Sequence, residues 1–173
     1  MATPEGEIAW FSPDPRAIIP IDDRFHVPHG LQRTVKKNLF EIRIDTAFDA
    51  VMRGCARREE TWINREVVES YQNLHLLGHA HSVEAWQGGR LAGGLYGVAI
   101  GGSFFGESMF HDVTDASKVA LVGLVTRLRK RGYQLLDTQW MTPHLRTFGA
   151  HEIPRARYLK LLRAALQAAC KFV

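Results

Sequence analysis

Asp137 and Gln139 stand two residues apart, directly after the apolar pair Leu135-Leu136. Alternate residues of a strand share a face, so a strand here projects an acid and an amide into one space. A carboxylate in apolar surroundings is costly unless it meets a donor, and an amide offers one. Such a pair can serve as an acid/base dyad. Glu107 is the second candidate, set among Phe104, Phe105, Met109 and Phe110. It needs a cation or a donor, met either by an internal ion pair or by a cationic substrate. Leu95, Phe104, Met109, Leu121, Leu124, Leu128 and Leu136 are each ordinary core by type. As a group beside a buried acid they can receive an apolar side chain.

Other chemistries fit less well. His75, His79 and His81 have a ligand-like look, but Gly78 breaks the helix between the first two and His81 begins a strand. One face cannot present all three, and the expectation is histidines that satisfy backbone groups at a turn, with no metal. Ser108 lacks the Gly-x-Ser-x-Gly elbow of a nucleophile. Gly93, Gly94, Gly97, Gly101 and Gly102 lack the lysine and hydroxyl of a phosphate loop, and they are expected to let a substrate backbone approach the sheet. A coenzyme A site would need a pyrophosphate turn entering a helix. Arg90-Leu91-Ala92-Gly93-Gly94-Leu95 misses its last position and runs into a strand.

These residues are positioned by a readable series of elements. Residues 1–28 are rich in proline, with Trp10-Phe11-Ser12-Pro13-Asp14-Pro15-Arg16 expected as an extended segment anchored by its aromatics. A basic helix over 30–38 and a strand over 40–44 follow. Asp45 or Thr46 is expected to cap a helix reaching Ala56, and Asn64 one over 65–77 that Gly78 ends. Strands over 80–87 and 91–99 flank a Gly88-Gly89 hairpin, and 103–109 is a third strand. Asp115 is expected to cap a buried helix to Arg131, followed by a strand over 133–139. Thr142-Pro143 opens a short helix and Pro154 a last one reaching about Cys170. This order predicts an α+β fold of acetyltransferase-like type, with a mixed, mostly antiparallel sheet flanked by helices.

The bulk properties suit one globular unit. The chain has 173 residues, 46% hydrophobic and 23% charged, and its two cysteines, Cys55 and Cys170, have no ligand spacing. Met1–Glu7 lacks the pattern of a secretory signal and no apolar run suffices for a membrane span, so a cytoplasmic protein is expected. The net charge is only +4, but the cations cluster: Arg33, Lys36 and Lys37; Arg53, Arg57 and Arg58; Arg127, Arg129, Lys130 and Arg131; Arg155, Arg157, Lys160 and Arg163. Solvated helix faces account for any one cluster, whereas four together suggest a polyanion such as RNA.

An ordered set of short blocks narrows these alternatives. Trp10–Arg16, Glu60-Thr61-Trp62-Ile63, Gly78-His79-Ala80-His81-Ser82-Val83-Glu84 and Gly93–Val98 are followed by Phe105-Gly106-Glu107-Ser108-Met109-Phe110 and Ala116-Ser117-Lys118. Asp137-Thr138-Gln139, Phe148-Gly149-Ala150 and Glu152-Ile153-Pro154-Arg155 complete the set. Together they resemble the bacterial leucyl/phenylalanyl-tRNA–protein transferases over nearly the whole chain. The resemblance implies transfer of leucine, phenylalanine or methionine from aminoacyl-tRNA to proteins beginning with Arg or Lys, marking them for degradation, with no ATP, metal or other cofactor. It implies that the Gln139 side chain accepts a hydrogen bond from the attacking amine and that Asp137 holds the Gln139 amide group. The seven apolar residues named above would receive the donor side chain, Trp62 would lie near the adenosine, and Glu107 would meet the acceptor's cationic side chain. Arg33, Lys36, Lys37, Arg127, Arg129, Lys130 and Arg131 would take tRNA phosphates. Family members usually carry more chain ahead of Trp10, so residues 1–36 are expected as the remnant of a smaller subdomain and 37–173 as the catalytic domain. Leu128 stands where an aromatic residue can occur, which bears on donor preference. A coenzyme A-dependent N-acyltransferase and a non-catalytic tRNA-binding module are the alternatives.

Overall fold

The structure, a computed structural model, describes residues 9–57 and 61–173. Arg58, Glu60 and the Met1–Glu7 start lie outside the described residues. The elements in chain order are β1 (Arg16–Ile19), α1 (His29–Lys36), β2 (Glu41–Ile44), α2 (Phe48–Ala56), α3 (Arg65–Leu76), β3 (Ala80–Gln87) and β4 (Arg90–Ile100). Then come β5 (Ser103–His111), α4 (Ala116–Lys130), β6 (Leu135–Gln139), α5 (Pro143–Arg146), β7 (His151–Ile153) and α6 (Arg155–Ala165).

Among the described residues seven strands form one sheet, ordered β2-β3-β4-β5-β6-β1-β7. β5 and β6 are parallel and the other neighbours antiparallel. A parallel pair needs a crossover, and α4 supplies it. This is the acetyltransferase-like α+β arrangement that the element order predicts. Two of the strands, β1 and β7, were not expected. β1 lies inside the sheet between β6 and β7, held by Ala17, Ile18 and Ile19, all buried. The aromatic anchor is therefore corrected: Trp10 is 92% exposed, and Phe11, also exposed, meets the edge of Trp140. No helix among the described residues is long and apolar enough to cross a membrane.

The two faces of the central sheet bury separate clusters. Val83, Leu95 and Phe104 pack under α4 with Leu121, Leu124 and Leu128, while Ala80, Tyr96 and Phe110 pack with Phe48, Val51 and Met52 of α2. Phe104 and Phe110 are six residues apart and would share a face of a regular strand. They lie in opposite clusters because β5 carries a bulge. Tyr96 pairs with Ser108 but Gly97 with Gly106, which leaves Glu107 as the extra residue. A Cβ on Gly97 would stand 2.2 Å from the Phe105 carbonyl oxygen, so the bulge requires glycine there. Gly93 is pressed by Ala116 of α4 and Gly94 by the Val83 carbonyl. The glycines thus admit the protein's own backbone and helices at those points, not the substrate backbone expected from the sequence.

Several caps also differ from expectation. Asn64 Oδ1 accepts from Val67 N at 2.9 Å and Thr142 Oγ1 from Leu145 N at 3.2 Å, both as predicted. Asp45 and Thr46 do not cap α2. Its N-terminal Ala47 N–H donates instead to Glu84 Oε1 of β3 at 2.7 Å. Asp115 adopts a left-handed conformation and makes no cap bond, because its carboxylate takes Lys118 Nζ at 2.8 Å. The last helix ends at Ala165, short of Cys170. Its N-terminal Arg155 N–H is met by Asp14 at 3.0 Å, from a segment 141 residues earlier.

Candidate active site

β5 and β6 run paired from Ser103↔Leu135 to Phe105↔Asp137 and then part, while β5 continues to His111 and β6 to Gln139. The opening lies at the carboxyl ends of two adjacent parallel strands, the usual place for a ligand in such sheets. Glu107 stands just past the parting on β5, and Gln139 on β6.

Asp137 is fully buried and makes four hydrogen bonds. Arg16 donates to it as a fork, Nε to Oδ1 at 3.0 Å and Nη2 to Oδ2 at 2.6 Å. The Tyr158 hydroxyl donates to Oδ2 at 2.7 Å, and the Gln139 backbone N–H to Oδ1 at 2.9 Å. Burial disfavours the Arg16 cation most, yet the hydrogen bond and charge of Asp137 outweigh it and its pKa is raised. Burial, then the Asp137 charge and hydrogen bond, raise the Tyr158 phenol, so it remains a donor.

The expected contact between Asp137 and the Gln139 side chain is therefore corrected to one with the Gln139 backbone. The cause is a second bulge. Ala17 pairs with Gln139 and Ile18 with Asp137, so Thr138 is the extra residue and strict alternation is lost. Gln139 has a φ of 60°, and Trp140 N–H closes a three-residue turn over it to the Thr138 carbonyl at 2.7 Å. A non-glycine residue in this region is strained and persists where neighbours over-determine it. The Asp137 bond to its N–H is one such constraint.

Glu107 has a different environment. It is partly buried, and burial raises its carboxyl to about 7 despite an opposing hydrogen bond from Tyr71. The Asp137 charge adds to the rise and Arg16 reduces it. Burial also raises the Tyr71 phenol, and its ring meets Tyr96 edge-on at 5.2 Å.

Of the seven apolar candidates, Leu95, Phe104, Leu121, Leu124, Leu128 and Leu136 are buried in the α4-side cluster, and Met109 packs partly buried against it. Leu95 and Met109 are a cross-strand pair. Trp62 lies at the border of the α2-side cluster, as does Tyr71. The basic residues divide into two kinds. Arg33, Lys36, Lys37, Lys130 and Arg131 are exposed. Arg127 donates to the Phe172 carbonyl at 2.6 Å and stacks on its ring, and Arg129 donates to the carbonyls of Ile21 and Asp22. Those two cations fasten other segments to α4. Thr34 of α1 reaches Asp115 at the start of α4, so the exposed cations gather near both ends of a 15-residue helix about 22 Å long.

The histidines meet backbone and side-chain acceptors. His75 contacts the Ala80 carbonyl at 2.8 Å, and His81 contacts Asp45 at 2.7 Å and the Gly78 carbonyl at 3.2 Å. Among the described residues no cluster of His, Cys, Asp or Glu could hold a metal ion. Arg16, Tyr158 and Tyr71 were missed as site residues. Arg16 does fall within the Trp10–Arg16 block, but nothing local marks Tyr158.

Residues 18–163 match the family model described as leucyl/phenylalanyl-tRNA protein transferase. The chain is 61% identical to a leucyl/phenylalanyl-tRNA–protein transferase of Herpetosiphon aurantiacus, over 97% of this chain and 88% of that protein. It is 58% identical to the one from Akkermansia muciniphila, over 96% and 89%, and 50% identical to the one from Synechocystis sp., over 99% and 87%. With the family model spanning both sides of the β5–β6 opening, and relatives this similar over nearly all of the chain, the protein belongs to the leucyl/phenylalanyl-tRNA–protein transferase family.

Proposed function

We propose that this protein transfers leucine or phenylalanine from aminoacyl-tRNA to the free N-terminus of proteins that begin with Arg or Lys. The α-amine of the acceptor attacks the ester carbonyl; the C–N bond forms and the C–O bond to the ribose breaks. The proton shed by the amine ends on the departing ribose oxygen. The ester is already activated, so the protein's task is to align two substrates and exclude water.

The observation that carries this reading is Gln139, a strained residue held at the mouth of the β5–β6 opening. In the reading its side-chain oxygen accepts from the amine and leaves the nitrogen lone pair aimed at the ester. Glu107 receives the first cationic side chain of the acceptor. The apolar group around Leu95, Phe104, Met109, Leu121, Leu124, Leu128 and Leu136 receives the donor side chain, Trp62 lies by the adenosine, and the exposed cations Arg33, Lys36, Lys37, Lys130 and Arg131 take phosphates. Marking acceptors for degradation would follow from the new N-terminus.

The deciding experiment follows labelled leucine from charged tRNA to a peptide beginning with Arg. Transfer is expected, and Gln139→Ala should reduce kcat by about a hundredfold or more. Absence of transfer to every basic N-terminus offered would sink the reading.

A further inference from the structure

The surroundings of Asp137 give work to two residues outside the substrate-touching set, on the understanding that the transfer reading above holds. An ionised carboxylate is acceptor-only and offers about four lone-pair directions. Here four donors fill them: Arg16 Nε and the Gln139 N–H on Oδ1, Arg16 Nη2 and the Tyr158 hydroxyl on Oδ2. A carboxylate so filled has no free direction for a proton from the incoming amine. Asp137 then acts on the reaction only through what it holds, and the group of interest that it holds is the Gln139 backbone.

We infer that Arg16 and Tyr158 are positioning residues for transfer, which fix Gln139 in its left-handed turn by fixing Asp137. Arg16 reaches both carboxylate oxygens with two bonds, and its guanidinium also lies over the Tyr158 ring at 4.7 Å. Three elements thus converge on one carboxylate: β1 brings Arg16, α6 brings Tyr158 and β6 brings Asp137. Next to Arg16 on β1, Ala17 pairs directly with Gln139, so the same strand constrains that residue through sheet pairing and through charge. Arg16 also reduces the rise at Glu107, so it stands within electrostatic reach of the acids on both sides of the opening. A lysine carries the charge but cannot form the planar fork, so the two residues are not interchangeable here.

The test uses the full-length protein. Arg16→Lys and Tyr158→Phe are made in the native background and again with Gln139→Ala. Steady-state transfer to an Arg-initiated peptide gives kcat and KM, and amide hydrogen exchange by NMR follows Gln139 with Val67 of α3 as a reference. In the native background Arg16→Lys should lower kcat by about tenfold to a hundredfold and Tyr158→Phe by about tenfold, with acceptor KM within about twofold. In the Gln139→Ala background both substitutions should cost almost nothing, because they act through the missing side chain. The Gln139 amide should exchange at least about tenfold faster in both variants while Val67 is unchanged. Losses that multiply with Gln139→Ala, or an unaltered Gln139 amide in a folded variant, would overturn the proposal. If Arg16→Lys does not fold, Tyr158→Phe, which keeps its ring, decides alone. A native protein that transfers nothing would defeat the functional reading, while the exchange measurement would still decide the geometry.

Discussion

The two acids that flank the β5–β6 opening are built in opposite ways. Asp137 is sealed and saturated, with a guanidinium, a phenol and a backbone amide on its two oxygens. Glu107 sits on a bulge, partly buried, with the Tyr71 hydroxyl as a hydrogen-bond partner and a carboxyl that burial raises to about 7. A saturated carboxylate resembles a structural strut: its charge is already spent on neighbours, and removing it strands a cation. A carboxylate held short of full compensation gains most when a cation arrives. Under the proposed function the contrast divides labour across the opening, with geometry assigned to β6 and recognition to β5.

The largest expected break in this contrast is Asp137→Ala. It leaves the Arg16 guanidinium, 13% exposed, without its carboxylate, and should cost about 3–5 kcal/mol in a denaturant titration. Glu107→Gln should cost little stability and instead raise the acceptor KM by about tenfold to a hundredfold, leaving kcat at saturating acceptor close to native. If both substitutions were equally destabilising, the division of labour would fail. The pH dependence sharpens it further. The folded Glu107 carboxyl binds its proton more tightly than the unfolded one, so between about pH 4.5 and 7 the native state holds more protons and stability falls as pH rises. If Glu107 receives the basic N-terminus as proposed, it does so ionised, and acceptor KM should fall by about tenfold from pH 6 to 8. Glu107→Gln should flatten both trends, leaving the rise of rate with deprotonation of the acceptor's own amine near pH 7.7–8.0. The smallest effect belongs to Glu84, another saturated acid, which takes Ser82 Oγ at 2.8 Å, Ala47 N at 2.7 Å, Trp86 Nε1 at 3.0 Å and the Thr46 hydroxyl. Glu84→Gln should cost about 1 kcal/mol in thermal unfolding and leave transfer untouched.

What could be read from the chain followed the range of the interactions. The Gly88-Gly89 hairpin, the Asn64 cap and the buried α4 depend on residues a few positions apart, and they appear as predicted. The caps of α2 and α6 are supplied by Glu84 and Asp14, from far along the chain, and local pattern could not reveal them. The strands β1 and β7 have 4 and 3 residues, too short for alternation to register, and prolines surround β1. Asp137, Gln139 and Glu107 were legible as residue types out of place in apolar runs. Their relation was not, because two single-residue bulges, at Glu107 and Thr138, redirect side chains without any signature in composition. Arg16 was visible only as the end of a motif, since its partner lies 121 residues away.

The insertion of β1 between β6 and β7 has a consequence for how the molecule is made. During synthesis the strand that carries Arg16 leaves the ribosome early, but both neighbours that will hold it are encoded more than a hundred residues later. Closing so long a loop is entropically slow work, deferred until β6 and β7 have emerged. A nascent chain that has not yet reached Tyr158 holds Arg16 without its sheet partners or its phenol. The Gln139 turn is therefore completed late in translation, and a half-made chain cannot assemble the centre that would act on charged tRNA beside it.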